Sequence, residues 1–482
     1  MPDKMACLCG LSYPVFWWTS RTVERRSRAQ PGKERMQEQN RLTEGNIYKA
    51  LLAFGLPYLI ANFIQALYGA VDLAVVGWFN NAETVAGVSV GTQVTQMLNS
   101  LISGLTLGGT ILIAQYVGAR RQEDTRQTIG TMLSLFALAA VGFMLAMFAL
   151  TPAILQLVNT PAESMEQAKQ YVYICSGGIL FIFGYNAISA ILRGLGDSKR
   201  PVLFIGIACV TNIVLDVLLV GGLGWGAAGA AVATVFSQGV SLVLAVILLR
   251  RREDFVFDFS RESIRIHGDK VRSILRLGLP VSLQETILSF SFLAITAIVN
   301  SMGYIAAAAT GICGKFDSFA MLPASAFSGA LSAFTGQNMG AGRPDRAIKA
   351  LRTAIVLALL CSLFFFAWAQ LWPASILHIF KASDEVTLAG TQYIRTFSFD
   401  FMLVAFGFCF NGFFNGCGRT LFVMVVGSAA SVGIRLPLAW FLSRAVPGNL
   451  TVIGMAAPVA TLVSVVISLL YLRRGKWREL KL

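Results

Sequence analysis

The uncharged run 445–472 and the stretch 50–82, whose only charge is Asp72, set the environment in which this chain can fold. A helix needs about 20 apolar residues to cross a bilayer, and both runs exceed that. A third, 201–249, is interrupted only by Asp216. Twelve spans are predicted, near 47–79, 84–116, 126–150, 167–193, 200–221, 226–250, 271–301, 304–337, 346–372, 389–416, 420–444 and 450–473. The alternating ten-residue segments of a membrane β-barrel are absent. Charged residues make up 13% of the chain, against about 25% in soluble domains. The expectation is therefore an all-α polytopic membrane protein.

A net charge of +14 raises the question of nucleic acid, and its distribution answers it. Lys and Arg gather in the N-terminal tail, in alternate loops (Arg120, Arg121, Arg126; Arg193, Lys199, Arg200; 250–276; 343–352; Arg419) and at the C-terminus. The intervening loops carry only Lys169, Lys381, Arg395 and Arg444. This is the positive-inside pattern, which predicts a cell (inner) membrane protein, both termini cytoplasmic, with no nucleic-acid partner. Eight scattered cysteines without a CxxC pair read as small apolar residues, and two histidines exclude a histidine-rich metal site. Residues 1–45 place an apolar patch before the basic run 21–35, the reverse of a secretory signal. They read as a disordered tail, or as an upstream extension of a chain starting at Met36.

The strongest large-scale signal is internal repetition. GLP at 55–57 recurs at 278–280, Gln115-Tyr-Val-Gly-Ala recurs as Gln337-Asn-Met-Gly-Ala, and Arg193-Gly-Leu-Gly recurs as Asn415-Gly-Cys-Gly, at offsets of 222 or 223 residues. GAAGAAVAT at 226–234 returns more loosely as GMAAPVAT at 454–461. The organisation predicted is an N-lobe over 46–250, a cytoplasmic linker over 251–270, a C-lobe over 271–473 and a short tail over 474–482. Six is an even number, so both halves enter the membrane with one orientation, as parallel repeats around a cleft. Pro57 and Pro280 can kink the opening helix of each half.

The halves, the QxxGA segments and the RGxGD-like turn at 193–197 resemble the multidrug and toxic compound extrusion (MATE) family, over essentially all of 46–473. That resemblance implies twelve helices in two lobes related by a pseudo-two-fold axis, V-shaped around a central cleft. It implies a monomeric secondary antiporter in the lipid bilayer, exporting cationic or amphipathic small molecules by alternating access in exchange for H⁺ or Na⁺, with no other cofactor.

An ionisable residue at membrane depth is a functional-site hypothesis by default. With the predicted orientation, Asp72, Asp216 and Thr234 all lie about 8–12 Å below the outer ends of their helices, and Asn212 is one turn from Asp216 on the same face. Two carboxylates, an amide and a hydroxyl suit a desolvated Na⁺ or protons. The same four residues match the family's N-lobe cation site, so the resemblance makes Asp72 and Asp216 the coupling acids. The alternative is a polar cluster that only locks helices together.

The second half does not copy this set. Its charges are Glu285, Lys315, Asp317, Asp400 and Arg435, and Glu285 with Lys315 is a candidate pair. Both ion binding and structural pairing remain open for them. Eight phenylalanines between Phe397 and Phe414, with Met97, Met321 and Met339, can pack a core, face lipid or line the cleft. A lipid-linked saccharide flippase of the same superfamily and a membrane-embedded enzyme are the competing functions. Neither a clustered catalytic motif nor a GxxxxGK[ST] loop is present to support an enzyme or direct ATP coupling.

Overall fold

Within a bilayer each helix must satisfy its own backbone, and its orphan first-turn amides need caps. Asn46 supplies one, accepting from the Tyr48 and Lys49 amides at 2.9 and 3.3 Å. Asn81 accepts from Thr84 at 3.1 Å and Asn449 from Val452 at 3.3 Å. The computed structural model describes residues 42–251, 255–260, 262–446 and 448–479, and these are helical almost throughout. The tail over 1–41 lies outside the described residues.

The first lobe contains α1 (Ile47–Phe79), α2 (Ala82–Gly118), α3 (Gln122–Leu157), α4 (the pair Ala162–Gly177 and Ile179–Gly194), α5 (Lys199–Gly222) and α6 (Gly226–Arg250). The second contains α7 (Gly268–Asn300), α8 (Tyr304–Gly340), α9 (Pro344–Leu371), α10 (Phe399–Gly416), α11 (Thr420–Ala445) and α12 (Leu450–Arg473). Among the described residues eleven helices are long and apolar enough to cross a membrane singly, and the α4 pair, bent by 53°, makes a twelfth. The bend falls at Gly178, where an added Cβ would collide with Val235 of α6.

One predicted span is shorter than expected. The segment 389–416 is not continuous, because Asp384–Phe397 is a separate helix carrying Asp384, Glu385 and Arg395. The chain turns at Ser398, whose hydroxyl bonds back to the Arg395 carbonyl at 3.0 Å. The phenylalanines beyond it mostly build the C-lobe core. Phe401, Phe410, Phe413 and Phe414 are buried, and the Phe413 ring lies 5.0 Å from that of Trp477. Met339 is buried too, whereas Met97 is exposed.

The two lobes repeat in their hydrogen bonds as well as in sequence. Thr110 on α2 donates to the Ala190 carbonyl on α4 at 3.0 Å, and Ser332 on α8 donates to Gly412 on α10 at 3.0 Å. The residues of the two bonds are offset by 222.

Between lobes, α2 packs along α7, and α8 packs against α1 and α2. The closest approaches sit toward the ends that carry the basic loops. There Gly108 lies so near Gly278 that an added Cβ would be 2.7 Å from its amide nitrogen. Lys270 at the start of α7 reaches across to Asp124 of α3 at 2.5 Å and to the Tyr116 hydroxyl of α2 at 3.3 Å.

Candidate coupling-ion site

Asp72 stands seven residues before the end of α1, and Asp216 closes the α-helical part of α5. From Val217 to Gly222 the helix widens to the π form, with Leu223 donating to Leu218 at 2.9 Å. Such an insertion re-aims the side chains beside it and is often found at functional positions. α5 packs against both α1 and α6, bringing Asp216 to Asp72; Asn212 lies one turn from Asp216 on the same face of α5, and Thr234 stands on α6.

Their burial is nearly complete. Asp72 is 3% exposed, and Asn212 and Asp216 are 0% exposed. The carboxyl groups of Asp72 and Asp216 meet each other. Yet Asp72 Oδ1, both Asp216 oxygens, both polar atoms of Asn212 and the Thr234 hydroxyl have no hydrogen-bond partner among the described residues. Buried polar groups are nearly always paired, and a carboxylate left without donor or counter-ion costs several kcal/mol. Among the described residues no basic side chain acts on either acid.

One member escaped the sequence reading. Tyr68 is one turn below Asp72 on α1, and its hydroxyl lies 2.9 Å from that of Ser237, which donates to the Thr234 carbonyl at 2.8 Å. Both acids act on it through their charge. The four-residue spacing from Asp72 was the available signal. Tyr68→Phe removes one oxygen from the edge of the site. Half-maximal transport is expected to need about fivefold more driving cation, the worth of one net hydrogen bond; an unchanged requirement would place the hydroxyl outside the site.

The C-lobe charges divide into two groups. Asp317 of α8 and Asp400 of α10 are buried, the charge of Asp400 acts on Asp317, and both share the influence of Arg435, with Thr461 beside Asp400. Arg435 makes no direct ion pair with them, and its guanidinium sits 4.3 Å from the centre of the Phe292 ring. It ends a second π-helical stretch, Ala429–Arg435. At the 223-residue offset Arg435 stands opposite Asn212, so the second half carries a fixed cation where the first has an amide.

Glu285 and Lys315 do not join that group or pair with each other; both are exposed. Opposite charge alone does not make the expected pair: each side chain turns to the surface of its own helix.

With the geometry in view, comparison with known proteins identifies the framework. The MatE family model matches residues 57–218 and again 280–441, two stretches at the repeat offset. The chain belongs to the MATE family. It is 28% identical to the probable multidrug resistance protein YpnP of Bacillus subtilis over 445 residues, 91% of this chain and 98% of that one. It is 26% identical to the probable multidrug resistance protein NorM of Thermotoga maritima, over 90% and 94% of the two chains. A solved MATE transporter described as outward-facing superposes with a TM-score of 0.85 at 22% identity, over 92% of this chain and 99% of that one. The two-lobe, twelve-helix MATE architecture is thus this chain's fold. It is a membrane transporter and not an enzyme.

Proposed function

We propose that this MATE chain is a secondary antiporter that exports organic cations or other amphipathic compounds, driven by H⁺ or Na⁺ entering at Asp72 and Asp216. The observation that carries the reading is the unbalanced pair of buried acids. Two carboxylates meet with no donor or basic neighbour among the described residues, whereas the position that corresponds to Asn212 beside them holds Arg435 in the other lobe. A mobile cation can supply in the N-lobe what Arg435 supplies permanently in the C-lobe.

In this reading the basic end faces the cytoplasm and both lobes of a single chain enclose the cargo path. Capture of a proton or Na⁺ between Asp72 and Asp216 cancels their mutual repulsion, which is strong in a dry site. α1 and α5 then pack more closely. Only differential binding between the two states can drive the exchange, so the cation must favour one arrangement of α1 over the other. Pro57, inside α1, provides the flexible point. The export of drug-like compounds accords with the multidrug resistance names of the relatives.

Proteoliposomes loaded with ethidium test this, under a proton gradient and a sodium gradient imposed separately. Dye movement driven by one of the two is the expected result and names the coupling ion. No dependence on either gradient would end the antiport assignment.

A further inference from the structure

The QxxGA and RGxG/NGxG segments are not used by the ion site, yet the structure joins them across the lobes. Gln115 Nε2 of α2 donates to the carbonyl of Gly416 on α10 at 3.0 Å. Gln337 Nε2 of α8 donates to the carbonyl of Gly194 on α4 at 3.0 Å. Donor and acceptor are each displaced by 222 residues between the two bonds, so the lobes exchange one identical contact in each direction. Both glutamines are buried, at 3% and 0% exposure.

The glycines around them make room for this exchange. A Cβ on Gly118 would fall on the Gln337 carbonyl oxygen, and one on Gly340 would fall on that of Gln115. Gly196 and Gly418 adopt positive φ of 90° and 74°, and a Cβ there would lie 3.2 and 3.4 Å from the amide nitrogens of Gln337 and Gln115. Repetition within each lobe explains why the segments occur twice. It does not explain why each glutamine points into the other lobe.

We infer that Gln115 and Gln337 are a reciprocal latch that holds the basic end of the two lobes shut, and that both bonds break each time this end opens. The inference rests on the alternating-access reading above and extends it to the gate opposite the acids. Within one lobe these side chains would be ordinary core amides. Across the lobes they join bodies that must separate, and each amide can exchange a carbonyl for water when they do.

The test uses the full chain in nanodiscs, with spin labels on unnatural amino acids replacing Trp78 and Tyr304. These are exposed at the far ends of α1 and α8, one on each lobe. Their separation should shorten when the basic end opens. Gln115→Met and Gln337→Met keep the side-chain length but remove the donor. Each is expected to raise the share of the shorter distance about fivefold, and the double variant about 25-fold, one net hydrogen bond apiece. Gly340→Ala wedges the same seam while keeping both amides, and should shift the same distribution. An unchanged distribution in the folded double variant would overturn the latch. If that variant does not fold, the single variants and Gly340→Ala decide by the same reading. No substrate or ion gradient enters the measurement, so it can fail while gradient-driven transport at Asp72 and Asp216 stands, or succeed while that fails.

Discussion

Asp216→Asn and Asp72→Asn are each expected to reduce gradient-driven ethidium efflux to that of vesicles lacking the protein, while leaving insertion intact. Asparagine preserves the shape of the side chain and cannot take up a driving proton or offer a charged ligand to Na⁺. The effect should be large because both carboxyl groups contribute to a single site. Removing one leaves no mutual repulsion for a cation to relieve. Stability should move the other way. Asp216 is fully buried with both oxygens unpartnered, so a neutral amide there should stabilise the protein by about 1–3 kcal/mol. A thermal melt in detergent with and without each substitution separates the two consequences. Loss of efflux with an equal or higher midpoint supports a coupling site; loss with a lower midpoint means the acids hold helices together. Full efflux in both variants would remove the N-lobe from the mechanism.

Much of this architecture was legible because a bilayer leaves few alternatives. Long apolar runs must be helices, and α1 and α6 match the predicted limits 47–79 and 226–250. The break at Ser398 was hidden because Asp384–Phe397 and Phe399–Gly416 join without a proline or glycine between them. In the N-lobe, depth and helical spacing pointed to Asp72, Asn212, Asp216 and Thr234, and of these the structure brings the Asp72 and Asp216 carboxyl groups together. Tyr68 was within reach of the same rule, since it stands four residues from Asp72 on α1 and shares its face. Rotation about the helix axis misled the pairing of Glu285 with Lys315, which opposite charge suggested but whose side chains both turn to the surface. The recurrence of QxxGA was plain to see, but its partner was not. The glutamine bonds join residues about 300 positions apart in one case and 143 in the other, and only the docking of the lobes brings them together.

Arg435→Met should be among the most destabilising single changes in the C-lobe. Asp317 and Asp400 are buried, each keeps an unpartnered Oδ1, and Arg435 is the basic group whose field reaches both. Removing one member of a fully buried charge pair costs about 3–5 kcal/mol. Arg435 is only partly buried and does not touch the acids, so about 2–3 kcal/mol is the expected loss, including its contact with the Phe292 ring. Asp317→Asn added to Arg435→Met should restore more than half of it, because one fewer uncompensated carboxylate remains. That recovery would be a positive coupling in a double-mutant cycle. The transport consequence follows from the asymmetry of the lobes. A fixed guanidinium already balances the C-lobe acids, so the folded fraction of Arg435→Met should keep its dependence on the driving gradient. Unchanged thermal stability together with lost ion coupling would reverse the assignment, making Asp317 and Asp400 a second ion-binding pair and Arg435 its competitor.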